Sequence, residues 1–240
     1  MLIPRVFHQI WLGDKPRPHA FVRWNEAWKT LHPAWEVRLW QQDSDGVVRS
    51  GDRKFKSRYP ELLARACHLS QRSNILRYEL VEFYGGIYMD TDVEPLQPID
   101  SLIDDVSAFA PLMNVFRDGK AQVCLGCAIF GAVPGHPWTR DLMAGLKGID
   151  PAVNGSAGSK YFARVTSDHP EVTMFEPHVF YTEGYRPSGA TGPSRRPSGA
   201  TGPSRRPPSR RPSNDAMTRH HWSSRWWEDS FKPLGPRTTT

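Results

Sequence analysis

The chain has little cysteine, three in 240 residues. So sparse and odd a set argues against a disulfide scaffold and fits a reducing compartment. It has no run approaching the roughly 20 consecutive apolar residues that a membrane span needs, which argues against an integral membrane protein. The first residues, Met1-Leu2-Ile3-Pro4-Arg5, lead into strand-like sequence without a charged n-region or an apolar core. No secretory leader is therefore expected, and a cytoplasmic location is. Charge of one sign is also missing from the bulk of the chain. The formal charge is +6, but residues 186–213 hold seven arginines and no acid, so the remainder stands at −1. Basicity confined to one segment gives no reason to expect a nucleic-acid partner.

That segment is an internal repeat: RPSGATGPSR at 186–195, the same ten residues at 196–205, then a degenerate RPPSRRPS. It holds seven of the 22 prolines and no apolar side chain beyond Ala190 and Ala200. Such a stretch buries too little surface to offset its ordering entropy, so it is expected to be a disordered insertion. A surface-loop duplication is the plainer account of it, and a basic arm for acidic headgroups or polyanions the functional one. The expected division is a catalytic domain over 1–185, the insertion over 186–213, and a C-terminal segment, 214–240, that closes the active site.

Elsewhere strands and helices alternate. Arg5 to Trp11 is β-rich, and Phe21, Trp24, Trp28 and Leu31 recur at helical spacing before Pro33. Glu36 to Trp40 is a second strand, which makes an opening βαβ unit of a nucleotide-binding α/β sheet. A central helix is expected from Tyr59-Pro60 to Tyr84, capped by Gly85-Gly86, with Leu62, Leu69, Leu76, Leu80 and Phe83 as its apolar stripe. Ser70, Asn74 and Arg77 share another face. Gln122 to Val133 is a further apolar run, and a helix follows His136-Pro137-Trp138.

The chemistry-bearing stretch is Ser73 to Leu96, SNILRYELVEFYGGIYMDTDVEPL. After the strand Ile87-Tyr88-Met89, Asp90 and Asp92 project to one side if the chain stays extended. Carboxylates that close repel unless a cation lies between them. A hard divalent ion, Mn²⁺ or Mg²⁺, completed by substrate phosphates, answers that need.

Here the sequence resembles the glycosyltransferase group whose sugar-binding region contains the DXD motif, the Och1-type and capsular-polysaccharide enzymes of glycosyltransferase family 32. Four pieces carry the resemblance: Ile3-Pro4-x-x-x-His8-Gln9-Ile10-Trp11-x-Gly13; Arg77-Tyr78 with Gly85-Gly86-Ile87-Tyr88-x-Asp90-x-Asp92; Gly131 to Pro137; and His220-His221-Trp222-Ser223-Ser224-Arg225-Trp226. It covers residues 3 to about 145 and about 215 to 227. It implies a GT-A-like fold, a mixed and mostly parallel sheet flanked by helices, and a metal-dependent hexosyltransferase that retains anomeric configuration. The implied donor is a UDP- or GDP-sugar and the implied acceptor a glycan or lipid-linked sugar, with peripheral contact at the inner face of a membrane. Carried over, Ile10 and Trp11 hold the nucleotide base, Asn74 and Arg77 the sugar or diphosphate, and Tyr88 packs beside the donor. Asp90 reaches ribose and sugar hydroxyls or the metal, Asp92 ligates the metal, and His220 closes over metal or diphosphate. Asp90, Asp92 and Arg77 are the candidate catalytic residues. Asn74 replaces the family's Asp, and Arg225 stands where its closing motif has Ser.

Other features have plainer accounts. Cys124 and Cys127 read as two packed thiols, His8 as a satisfied buried imidazole, and Asp43-Ser44-Asp45 as a turn. A glycoside hydrolase, whose paired carboxylates work without nucleotide, and a weakly active sugar or polyanion binder are the alternatives.

Overall fold

The computed structural model describes residues 2–44, 46–117, 120–182 and 216–221. The 186–213 repeat and Trp222 to Trp226 lie outside the described residues, as does Asp45 of the second Asp-x-Asp.

Eleven strands are described: β1 (Val6–Trp11), β2 (Glu36–Ser44), β3 (Val47–Ser50), β4 (Arg53–Lys56), β5 (Gly86–Met89), β6 (Val93–Pro95), β7 (Ala108–Arg117), β8 (Lys120–Leu125), β9 (Ile129–Ala132), β10 (Thr173–Phe175) and β11 (Thr218–His220). The helices are α1 (His19–Leu31), α2 (Pro60–Arg65), α3 (Leu69–Tyr84), α4 (Asp100–Ile103), α5 (Pro137–Gly145), α6 (Ser159–Thr166) and α7 (Pro177–Phe180). The large sheet runs β10-β7-β9-β5-β1-β2-β3-β4, with β8 paired to β7. Its centre, β2-β1-β5, is parallel, as the βαβ reading requires, and β10 joins β7 in parallel. Antiparallel pairs extend it on both sides.

Period-two alternation sorts the core into two layers. Ile87 and Met89 of β5 and Ile129 of β9 face the side of Phe7, Trp28 and Phe180. Tyr88 and Phe130 face the side of Leu76, Leu80, Trp138 and Phe162, from α3, α5 and α6. Trp28, Trp40 and Trp138 are fully buried, which makes them core rather than ligand-facing. His8 is buried in the layer of α3, with Nδ1 accepting from Trp40 Nε1 at 3.0 Å and Nε2 3.0 Å from the Gly85 carbonyl. Because Nδ1 accepts, Nε2 carries the proton and donates. Burial pushes this imidazole down to about 3.

The expected central helix is two helices. Ala66 is extended (φ −61°, ψ 125°), Cys67 N–H bonds the Pro151 carbonyl, and α3 restarts at Leu69. A loop from a distant part of the chain takes the backbone donor that would have continued the helix. The apolar stripe shifts accordingly: Phe83 is 59% exposed, while Ile75, Tyr78 and Val81 are buried. α3 is enclosed on nearly all sides, so its polar residues at 71, 72, 77 and 79 are buried as well. Gly85 closes it at φ 63°, its N–H bonding the Val81 carbonyl, and a Cβ there would sit 2.6 Å from Pro134 Cδ.

Candidate active site

The site forms where β1 and β5 end. β5 delivers Asp90, whose N–H bonds the Ala128 carbonyl at 2.7 Å. The chain then turns, with Val93 N–H on the Asp90 carbonyl at 3.2 Å. The two aspartates converge through this turn and not through an extended strand. The turn is held from outside by Trp28 Nε1, which donates to the Val93 carbonyl at 3.0 Å. β11 pairs antiparallel with β6, setting His220 opposite Val93, and His221 N–H bonds the Asp92 carbonyl.

His220 therefore reaches both carboxylates, with Nε2 3.2 Å from Asp92 Oδ1 and 3.8 Å from Asp90 Oδ2. The ligand atoms of the three residues lie within 4.8 Å of one another. Burial works to deprotonate His220, but Asp92 and Asp90 outweigh it and hold the imidazole protonated well above its usual range. Burial likewise works to raise Asp90, yet His220, Arg77 and Tyr88 together keep its carboxyl below the ordinary value. Two carboxylate oxygens and an imidazole nitrogen at this spacing are a donor set that fits Mn²⁺ or Mg²⁺.

Arg77, on α3, lies beside this cluster and is 4% exposed. Its Nη1 donates to the Cys127 carbonyl at 2.7 Å, and the guanidinium lies 5.3 Å above the Tyr88 ring. Its buried Nε has no partner. An unsatisfied buried N–H next to a cleft marks where an acceptor oxygen belongs. Tyr88 Oη donates to Asp90 Oδ1 at 2.5 Å, fixing that carboxylate.

Arg77, Tyr88, Asp90 and Asp92 line one cleft of about 1180 Å³, which also takes in Ile10, Trp11 and Asn74. The structure thus gathers every sequence-predicted site residue: seven on the wall, and His220 behind Asp90 and Asp92. Trp11 is pinned by Nε1 donating to the Lys15 carbonyl at 2.8 Å, and its ring meets Phe21 edge-on. Phe21 stacks on Trp24, and Trp24 on His221 at 4.3 Å, so an aromatic ladder joins Trp11 to the residue that follows β11. The sequence reading did not find this ladder. The helical spacing of Phe21 and Trp24 was its only local sign. It also left out the loop around Gly155, Gly158 and Lys160, which lines the far end of the cleft. Cys124 and Cys127 are not disulfide-bonded, and Cys127 Sγ lies 3.2 Å from Ser159 Oγ.

A mixed α/β sheet ending on an Asp-x-Asp turn, beside a buried arginine and an aromatic wall, defines a protein of the GT-A-like class. Residues 18–108 match the family profile described as the glycosyltransferase sugar-binding region containing the DXD motif. It is similar to an uncharacterized glycosyltransferase, L373, of Acanthamoeba polyphaga mimivirus: 27% identical over 139 residues, 57% of this chain and 52% of the relative. It is also similar to inositol phosphoceramide mannosyltransferase 1 of Schizosaccharomyces pombe, at 26% identity over 57% of this chain and 40% of the relative. Mannosyl phosphorylinositol ceramide synthase CSH1 of Saccharomyces cerevisiae is 28% identical over 61% of this chain and 36% of its own length. The chain spans about half or less of the length of these curated relatives. Among solved structures, the PaToxG glycosyltransferase matches with a TM-score of 0.49 at 14% identity, covering 70% of each chain. A glycosyltransferase involved in glycosylation of the PBCV-1 major capsid matches at 0.47 and 10%, covering 94% of this chain and 98% of that one.

Proposed function

We propose that this protein is a metal-dependent glycosyltransferase that moves a hexose from a nucleoside-diphosphate sugar to a glycan or lipid-linked acceptor. The observation that carries this is the convergence of Asp90, Asp92 and His220, the two aspartates on the wall of the cleft that Trp11, Asn74 and Arg77 also line and the histidine behind them. Asp90, Asp92 and His220 would hold Mn²⁺ or Mg²⁺, which when bound supplies positive charge against the departing diphosphate. Trp11 stacks on the base, Asn74 hydrogen-bonds sugar hydroxyls, and Arg77 offers its unpartnered Nε to a diphosphate oxygen, where negative charge grows. Tyr88 keeps Asp90 oriented. His220 Nε2 holds a proton against the two carboxylates and would have to lose it in order to ligate a cation.

Retention by a front-face route is the stereochemistry we assign. A double displacement needs a nucleophile, and an inverting one needs a base. Among the described residues lining the cleft, the only other carboxylate is Asp14, on an exposed loop. The phosphoceramide mannosyltransferases among the relatives favour mannose and a lipid-linked acceptor, in glycoconjugate synthesis at a membrane surface.

The test is calorimetric titration of UDP and GDP, each with and without Mn²⁺, into the wild type and Asp92→Asn. Metal-dependent binding of one nucleotide, weakened at least tenfold in the variant, is expected. Binding that ignores both metal and the substitution refutes the site. Glycoside cleavage without nucleotide or metal would point to a hydrolase instead.

A further inference from the structure

β6 and β11 form a two-stranded sheet of three residue pairs, apart from the large sheet. A ribbon that short is marginal by itself, so contacts from outside it decide where His220 sits. The two ends of β11 are held differently. Its start is tied to the chain around α7: Thr218 Oγ1 donates to the Phe180 carbonyl at 2.7 Å, and Met217 N–H to the Val179 carbonyl at 2.8 Å. The end that bears His220 depends on His221. The His221 N–H donates to the Asp92 carbonyl at 3.0 Å, and its ring stacks on Trp24 with centroids 4.3 Å apart and planes 16° from parallel. Its Nε2 lies 2.8 Å from Glu94 Oε2; a carboxylate only accepts, so Nε2 is the donor. Glu94 stands opposite Arg219 in the ladder, and Arg219 Nη1 is 3.6 Å from the same oxygen.

Trp24 and Trp28 stand four residues apart on α1, one above the other on one face. Trp28 Nε1 donates to the Val93 carbonyl, directly after Asp92. Trp24 meets the other strand of the ribbon through His221. One helix face thus grips both strands, the one that leaves Asp92 and the one that brings His220. The two indoles differ in what else they do. Trp28 is fully buried in the core, whereas Trp24 is half-buried and belongs to neither core layer. Trp24, Glu94 and His221 do not line the cleft either, so they act through the residues they hold.

We infer that Trp24 is a positioning residue: its stack on His221, together with the hydrogen bond from His221 to Glu94, seats the end of β11 so that His220 reaches Asp90 and Asp92. The inference rests on the transferase reading and deepens it, by adding a residue that touches neither donor nor metal. The same indole stacks on Phe21 at 5.5 Å, and the Phe21 ring meets Trp11. Trp24 therefore braces the aromatic wall of the cleft and the aspartate–histidine cluster from one place on α1.

The experiment uses the full chain and four variants, Trp24→Ala, Trp24→Phe, Glu94→Ala and Glu94→Gln. Phenylalanine keeps a ring to stack and glutamine keeps an acceptor, so each conservative variant isolates the contact from the loss of bulk or charge. Two quantities are read: Mn²⁺ binding, from the electron paramagnetic resonance of the free ion, and exchange of the His221 amide in EDTA, with the β9 amides as internal control. Both alanine variants should weaken Mn²⁺ binding about tenfold, the common cost of freeing a group that orients a metal ligand. Both should also speed His221 exchange about tenfold and leave β9 unchanged, because the opening is local. Trp24→Phe and Glu94→Gln should restore most of both. Unchanged Mn²⁺ affinity in Trp24→Ala, where the wild type binds, overturns the inference. So does exchange that rises equally in β9, or a loss that phenylalanine does not rescue, since either would make the indole structural only. A wild type that binds no Mn²⁺ breaks the transferase reading instead, and the exchange in EDTA then decides: protection of His221 lost in Trp24→Ala and regained in Trp24→Phe upholds the seating of β11, and protection unchanged overturns it.

Discussion

Replacing His8 by glutamine should remove a specific share of the protein's acid sensitivity. The His8 imidazole is sealed between the Trp40 indole and the Gly85 carbonyl, on β1, the parallel neighbour of the strand that leads into the Asp-x-Asp turn. Burial dominates its shift, outweighing the hydrogen bond to Gly85, and lowers it from 6.5 to about 3. A depressed imidazole binds protons more readily in the unfolded chain. Its stabilising effect is complete above about 6.5 and is lost as pH falls from there toward 3. Linkage from these two values gives a loss of about 2 kcal/mol between pH 7 and pH 5 from this residue alone. Glutamine keeps one donor and one acceptor at the site and does not titrate. Urea unfolding followed by tryptophan fluorescence at both pH values, on wild type and His8→Gln, measures the difference. The other shifted histidines, His32 and His136 lowered by burial and His220 raised by its carboxylates, are common to both proteins, so the wild type should lose about 2 kcal/mol more than the variant. Parallel losses, within about 0.5 kcal/mol, would mean that His8 is not held neutral by burial and refute the argument.

Three further outcomes are expected. Trp11→Ala should weaken nucleotide binding by about 1–3 kcal/mol, the range for an aromatic stacked on a base; unchanged affinity by calorimetry removes Trp11 from the donor wall. Asn74→Asp should preserve or raise turnover, because the carboxylate retains the acceptor oxygens that sugar hydroxyls need; a loss beyond about tenfold, or roughly 1.4 kcal/mol, contradicts that role. Gly85→Ala should cost more than about 2 kcal/mol in thermal or urea unfolding, since it combines φ 63° with a Cβ 2.6 Å from Pro134 Cδ, whereas Gly51→Ala, at φ 56° with nothing within 4 Å, should cost only about 1. Equal effects would show that crowding at the α3–β5 junction is not what selects glycine.

Much of the cleft wall was legible because its residues sit in short local motifs. Arg77 and Asn74 share a helix face at a spacing of three, and Tyr88, Asp90 and Asp92 follow a Gly-Gly break. Periodicity alone also located α1, observed at His19–Leu31 as expected, and the parallel pairing of β1 with β2. The break between α2 and α3 was not legible. Nothing at Ala66-Cys67-His68 disfavours helix strongly, and the competing bond comes from Pro151, 84 residues away.

By itself, then, the sequence determined which chemical groups are present and which near neighbours share a face, because both depend on residue type and on the fixed periods of helix and strand. Only the tertiary structure decided what meets across the chain. His220 reaches Asp90 and Asp92 because β11 pairs with β6, a contact spanning more than 120 residues. The glycine-rich stretch at 154–160 reads as a connector until packing against α3 turns it into the cleft beside Arg77. Which connector comes to line the cleft is set by long-range burial and hydrogen bonding, here from Gln71 and Tyr78 of α3, rather than by local order.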